Sequence, residues 1–218
     1  MSSAPDASAD SVVTGRAPAV ATRKRPKPGE RRVQILQVLA EMLQQPGPER
    51  VTTAALAARL AVSEAALYRH FASKAQMFEA LIDFIESSVF GLINQIGERE
   101  PAGRARAARI VAMVLQFGEK NPGMARVMVG DALVFEHQRL QQRMNQFFDK
   151  LDAALRQSLR DGALADAAEP ATLTPDADAR VRASVLTAFV AGRLQRFARS
   201  GFRRAPSEQL GACIARML

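Results

Sequence analysis

Ser63, Glu64, Ala65, Ala66, Tyr68, Arg69 and His70 follow one another closely, with Lys74 just behind. These residue types suit the surface of a polyanion better than the making of a bond. Ala65 and Ala66 are short enough to let a helix lie deep in a major groove, where a methyl group can touch thymine. The tips of Tyr68, Arg69 and His70 suit phosphates, and Lys74 at the start of a helix is a natural phosphate anchor. Thr52, with Thr53 beside it, stands where a flanking phosphate could be bonded. Bond-making chemistry finds little support. The two histidines, His70 and His137, are far apart in sequence, and Cys213 is the single cysteine, which excludes a disulfide framework and a cysteine-rich zinc site. No Gly-rich phosphate loop or nucleophile elbow occurs. The carboxylates of residues 161–178 have no histidine partner and no calcium-loop spacing. The reading is a DNA-binding protein, not an enzyme, with no metal and no cofactor.

Those residues need a frame, and residues 51–78 supply one. Thr52 is placed as an N-cap before a short helix with Leu56 and Leu60 on its inner face. Ala61 and Val62 make a turn. Ser63 is a second N-cap, and Glu64 suits the positive end of the helix it opens. Leu67 and Phe71, four apart, face inward. Ser73 and Gln76 form a capping box (S-x-x-Q) that begins a third helix at Lys74. Two helices joined by a short turn, the second presenting small and polar side chains, make a helix-turn-helix.

The rest of the chain reads as helices in series. At 218 residues it can hold a sizeable core. Low aromatic content, abundant alanine and no sustained period-2 alternation favour an all-α fold of about nine helices. The formal charge of +8 favours a polyanionic partner, nucleic acid before membrane. No apolar run approaches a membrane span, and no signal peptide is evident at the N-terminus, so cytoplasmic residence is expected. Residues 1–28, rich in Ala, Ser, Pro and Asp, read as a disordered tail ending in the basic run Arg23-Lys24-Arg25-Pro26-Lys27-Pro28. With Arg31 and Arg32, that run could serve as a phosphate-neutralising arm. Residues 29–76 form the expected reader domain and 77–218 a helical dimerisation and partner-binding domain. Helix 1 is expected over 29–45, packing Val33, Ile35, Leu36, Leu39 and Leu43 inward before Pro46 and Pro48 stop it. Further helices are expected over 74–98, 104–119, 136–160, 179–201 and 206–217, with a loop over 162–178. On the helix over 179–201, Val181, Val185, Phe189, Leu194 and Phe197 form an apolar face, and Ala188, Ala191 and Gly192 permit close approach. Burial in one chain would explain that face, as would a seam between two. A helix-turn-helix reading a palindrome needs two copies, which favours a homodimer through Val185, Phe189, Leu194 and Phe197.

The block VTTAALAARLAVSEAALYRHFASKAQMF resembles the DNA-binding domain of TetR-family regulators, and YRHFASK looks like that family's Tyr-x-x-Phe-x-x-Lys signature. Ala61 departs from it, since glycine is usual in the turn. The stretches MFEALIDFIESS and FGEKNPGMARVMVGDALVFEHQRLQQRMNQFFDKLDAALRQ extend the resemblance to the nucleoid-occlusion branch of that family. It implies a reader domain followed by a helical effector domain. It also implies a DNA-bound, nucleoid-associated inhibitor of cell division that occupies dispersed palindromic duplex sites and captures the C-terminal tail of the tubulin-like GTPase FtsZ. The implied groove for that tail lies between helices 4 and 5, at Phe84, Leu92, Met113, Gln116, Lys120 and Asn121. Phe84 and Met113 would give apolar contact and Lys120 would pair with an acidic tail. Leu92 and Gln116 depart from the pattern, which has a basic and a small residue there. From spacing alone, packing between two antiparallel helices is the better account of Phe84 and Met113. The competing function is a ligand-responsive repressor, with Met113, Phe117, Met128, Phe135 and Phe147 lining an apolar pocket or filling the core.

Overall fold

The structure, a computed structural model, describes residues 29–45, 51–165 and 174–218. The basic run Arg23–Pro28 and the stop at Pro46 and Pro48 lie outside the described residues. Every long element among the described residues is helical: α1 (Glu30–Leu43), α2 (Thr53–Arg59), α3 (Glu64–Tyr68), α4 (Lys74–Arg99), α5 (Arg104–Lys120), α6 (Pro122–Met128), α7 (Gln138–Ala165), α8 (Pro175–Arg199) and α9 (Leu210–Met217). A 3-10 turn over Asp131–Leu133, which the apolar pattern does not reveal, stands between α6 and α7.

The helix starts follow local chemistry. Thr174 accepts a hydrogen bond from the Ala177 amide at 3.3 Å, Pro175 takes the first helical position, and Asp176 and Asp178 lie in the first turn. Together these start α8 earlier than the apolar pattern suggests. α7 begins at Gln138, and the Arg139 amide donates to His137 Nδ1 at 3.2 Å. His137 is thus a capping residue and not merely a solvated one. On α1, Ile35, Leu39 and Leu43 are buried, but Val33 is 55% exposed. Two positions before Ile35, it projects from nearly the opposite side of the helix, so its expected core role does not hold.

α4 crosses the expected boundary at residue 76 without a break. It therefore belongs to both the reader and the body, and α7 runs alongside it. Lys74 pairs with Glu136 at 2.5 Å, Arg139 with Glu79 at 2.6 Å, and Arg143 with both Asp83 and Glu86 at 2.8 Å. Burial opposes the charge on Arg143, but the hydrogen bond and attraction from Asp83, with Glu86 adding to them, outweigh it and hold its pKa above the usual value. α8 returns along α7, where Thr187 donates to Asp152 at 3.4 Å. α6 docks on α1. The Arg126 guanidinium donates to the carbonyls of Leu43 and Gln45 at 3.3 and 3.4 Å, satisfying orphan acceptors at the end of α1. Phe147 sits in the core of the body, edge-on to Phe90 and Phe148 with centroids 5.4 and 5.3 Å away.

In sequence, Asp161-Gly162 resembles a helix stop, yet α7 continues through it to Ala165. The glycine is needed for proximity. A Cβ on Gly162 would lie 2.1 Å from the Gly103 Cα, at the corner between α4 and α5. The Gly103 amide also donates to the Ser158 carbonyl at 2.8 Å. Gly162→Ala must push two backbones apart, a cost on the order of 3 kcal/mol. The better helix propensity of alanine offsets about 1 kcal/mol of that. The expected result is a Tm lower by roughly 4–8 °C. Gly97→Ala is the control: its Cβ meets nothing within 4 Å, so thermal unfolding should show a small rise. Equal Tm for the Gly162 variant and wild type would show that this crossing is not tightly packed.

Candidate nucleic-acid interface and partner groove

Three hydroxyls set the reader helices. Thr52 Oγ1 accepts from the Ala55 amide at 3.1 Å, Ser63 Oγ from the Ala66 amide at 3.3 Å, and Ser73 Oγ from the Gln76 amide at 3.2 Å. Each accepts through one lone pair and keeps its proton to donate, so a capping role and a phosphate contact are compatible. The return bond of the Ser73 box is shifted by one residue: Gln76 Oε1 accepts from the Ala72 amide at 2.9 Å.

The turn between α2 and α3 closes around Ala61, whose φ is 53°. The Val62 amide reaches the Ala57 carbonyl and the Ala61 amide the Ala58 carbonyl, each at 3.0 Å. This is the glycine-type helix ending, and an L-residue in that conformation costs about 1 kcal/mol. Thr53 Oγ1 donates to the Glu64 carboxylate at 2.6 Å. Both were expected at the DNA, and in the free protein they tie the start of α2 to the start of α3. Leu56, Leu67 and Phe71 are each 1% exposed. Their burial leaves the other face of α3 to solvent: Ser63, Glu64, Ala65, Tyr68 and Arg69 are exposed, and Ala66 and His70 are half-buried.

Two basic residues are more engaged than their sequence positions indicate. The Arg32 guanidinium donates to the His70 carbonyl and lies 4.1 Å from the centroid of the Phe71 ring. It closes α1 onto the end of the reader helix and is not a free part of an arm. Lys74 holds Glu136, which lies just before α7, and its ammonium sits 5.6 Å from the Phe78 ring centroid. An ammonium has three protons, so that pair leaves capacity for a phosphate. Neither partnership could be read from spacing, since 38 and 62 residues separate the groups.

The residues of the expected groove fall on α4 and α5 and at the end of α5. On α4, Met77, Phe78, Leu81, Ile82, Ile85, Val89 and Ile93 are buried, whereas Phe84 is 51% and Leu92 38% exposed. Neither is the core residue that a continuous apolar helix suggests. On α5, Met113 is half-buried against the core, Gln116 and Lys120 are exposed, and Asn121 is half-buried with its amide donating to the Phe117 carbonyl at 2.8 Å. Five of the six lie on two helices that pack together, and Asn121 caps the end of the second. Among the residues of the suggested ligand pocket, Phe147 and Met128 fill the core, while Phe135 is 72% exposed and lines no interior.

α8 divides its apolar residues between two jobs. Leu194 and Phe197 are 0% and 3% exposed within one chain. They belong to the protomer's own core, where the expected apolar face of α8 is already covered in part. Val181 and Val185 are about half exposed, Ala188 and Gly192 are exposed, and Phe189 is half-buried with the Arg193 guanidinium 4.9 Å from its ring centroid. A Cβ added at Gly192 or at Gly211 on α9 would meet nothing. The stripe Val181, Val185, Ala188, Gly192 recurs every three or four residues and faces outward.

Among the described residues, no cluster of His, Cys, Asp or Glu is gathered to hold a metal, and no helix is long and apolar enough to cross a membrane.

Comparison with known proteins agrees with this geometry. Residues 35–81 match the family described as bacterial regulatory proteins, tetR family, and residues 103–215 match the tetracyclin repressor-like C-terminal domain of SlmA-like proteins. The chain is 48% identical to the nucleoid occlusion factor SlmA of Cronobacter sakazakii over 84% of this chain and 90% of that protein. It is 44% identical to the nucleoid occlusion factor SlmA of Idiomarina loihiensis over the same shares. In fold it is similar to the fatty acid degradation regulator FadR of Bacillus halodurans, with a TM-score of 0.70 at 13% identity, covering 89% of this chain and 97% of that one.

Proposed function

The chain belongs to the SlmA branch of the TetR family, and from that premise we propose that it is a nucleoid occlusion factor: a homodimer that binds dispersed palindromic sites on chromosomal DNA and holds the FtsZ C-terminal tail in the α4–α5 groove. The single observation that carries the second half of this reading is the exposure of Phe84 and Leu92 on a helix whose other large apolar residues are buried or half-buried. Apolar side chains left open on a helix that packs on the one carrying the half-buried Met113 and the exposed Lys120 would suit a short peptide with apolar and acidic residues. The reader supplies the first half. Thr52, Tyr68, Arg69, His70 and Lys74 contact phosphates, and Ser63, Ala65 and Ala66 approach base edges. Held on nucleoid DNA, the protein would act on division where chromosome remains unsegregated.

α4 joins the two functions. It begins at Lys74 and carries Phe84 ten residues on, ~15 Å along the same rod. A duplex that fixes the start of α4 also fixes the orientation of the groove, and by linkage a bound tail must favour DNA binding equally.

The experiment is binding of an FtsZ-tail peptide to the DNA-bound protein. Lys120→Glu reverses an exposed charge and should weaken the tail by about tenfold, with DNA affinity unchanged because Lys120 lies outside the reader. Failure of the wild-type protein to bind the tail, or equal binding by the variant, would remove this groove from the reading.

A further inference from the structure

The reader is not the most densely basic surface among the described residues. Between residues 193 and 216 the chain carries Arg193, Arg196, Arg199, Arg203, Arg204 and Arg216, against the single carboxylate Glu208. Arg196, Arg199, Arg203 and Arg204 are exposed, and none of the four has an ion pair among the described residues. The surface is concave. Arg196, Arg203, Arg204, Ala205 and Glu208 line a cleft of about 530 Å³. The segment is also held in shape. Ser200 Oγ accepts from the amides of Arg203 and Arg204 at 3.1 and 3.0 Å, and Arg203 Nε donates to the Ser200 carbonyl at 2.9 Å.

The position of this cleft follows from the course of the helices. α7 leaves the reader at Glu136, beside Lys74, and reaches the far corner at Ser158, beside Gly103. α8 runs back along it, so Arg199 ends level with the start of α7. There it shares a second cleft with Gln141 and Asn145 and with Met128–Asp131 at the end of α6. α6 is the helix that grips the end of α1 in the reader. The nearest carboxylate in that cleft, Asp131, is already paired with Arg126 at 3.1 Å. The arginines therefore lie at the same end of the molecule as the helix-turn-helix.

We propose that Arg196, Arg199, Arg203 and Arg204 form a second phosphate-contacting surface, which grips duplex DNA outside the segment read by α3. The proposal rests on the DNA-binding reading above and adds a contact that the helix-turn-helix does not contain. Charge sign and density favour a polyanion, and guanidinium groups pair with phosphate oxygens in a fixed fork. The outward stripe of α8 continues from Gly192 to Arg196 and Arg199, so a dimer formed through that stripe brings two such clusters toward its axis. Like charges gathered there repel unless a polyanion runs beneath both.

The test uses the full-length chain and a duplex carrying its palindrome, with fluorescence anisotropy followed across a series of salt concentrations. Two variants are compared, Arg196→Gln/Arg199→Gln and Arg203→Gln/Arg204→Gln. The first removes no side-chain hydrogen bond or ion pair found among the described residues and guards against loop distortion in the second. Each should lower the slope of log K against log salt by about one for every phosphate that is no longer neutralised. Each should also leave the preference for the palindrome over scrambled sequence unchanged. Unaltered slopes in both variants, with wild type still binding, would overturn the second surface and leave the reader intact. Loss of the dimer in sedimentation would assign the arginines to the seam instead, and weakened FtsZ-tail binding at an unchanged slope would assign them to a protein partner. Absence of salt-dependent binding by wild type would strike the DNA-binding reading itself.

Discussion

Val185→Asp should yield a helical monomer that no longer holds a palindrome tightly. Val185 is 47% exposed in one chain. In an isolated protomer, an aspartate there costs little beyond the helix-propensity difference, about 0.5 kcal/mol or less. Across a seam built from the outward stripe of α8, the same change buries two unpaired carboxylates at several kcal/mol each. At 1.4 kcal/mol per decade, a penalty of about 5 kcal/mol raises the dimer dissociation constant more than a thousandfold. The palindrome then loses its linked second reader, worth roughly 10²–10⁴ in apparent affinity. Phe189 is a poorer place for the charge, because its half-buried ring lies against Arg193 and a carboxylate there would also disturb the protomer. Sedimentation equilibrium should show the monomer and circular dichroism an unchanged helix content. Anisotropy should show equal, weak binding to palindromic and half-site duplexes. An intact dimer would mean that the stripe serves another purpose.

The reader was largely legible because its determinants are local. Thr52, Ser63 and Ser73 each cap within three residues, and Leu67 and Phe71 are neighbours on one helical face. Even the departure at Ala61 could be interpreted, since a left-handed turn position makes a specific demand on φ that the structure shows being met. The start of α8 was equally available: Thr174-Pro175-Asp176 is a cap, a proline at the first position and an acidic first turn. The apolar stripe begins further along, and periodicity alone places the start of the helix there.

What spacing could not supply was the division of an apolar face between core and surface. Val185 and Leu194 look alike in sequence, yet one is half exposed and the other fully buried. The difference is set by where α7, α5 and α6 pack on α8, which depends on contacts between distant parts of the chain. The same holds for Phe84 and Met113. The groove came from a family resemblance, and periodicity gave no reason to leave Phe84 outside the core. Long-range charge pairing was invisible too. Glu136 reads as one residue of a charged stretch until the fold sets it against Lys74. Gly162 misled in the opposite direction, because a glycine required for a close crossing looks the same in sequence as one that ends a helix.

Ala65 offers the other large effect, through shape instead of charge. It is exposed on α3, two residues after the Ser63 cap, while Ala66 is half-buried. A bulky side chain at Ala65 can therefore point into solvent in the free protein without disturbing the buried contacts of Leu67 and Phe71. Against a major groove about 12 Å wide, the added bulk holds the helix away from the base edges. Contacts at the periphery, from Thr52, Tyr68 and Lys74, still find phosphates, because electrostatic attraction tolerates a small displacement while direct readout does not. Ala65→Phe should thus keep its thermal stability and its salt-dependent, non-specific binding. It should lose most of the preference for the palindrome over scrambled duplex, a ratio typically ~10³–10⁷ for specific DNA-binding proteins. The readout is that ratio, measured by competition anisotropy at one fixed salt concentration. If it stays at the wild-type value while the protein remains folded, the exposed face of α3 is not the one that enters the groove, and the placement of Ala65 and Ala66 at the bases fails with it.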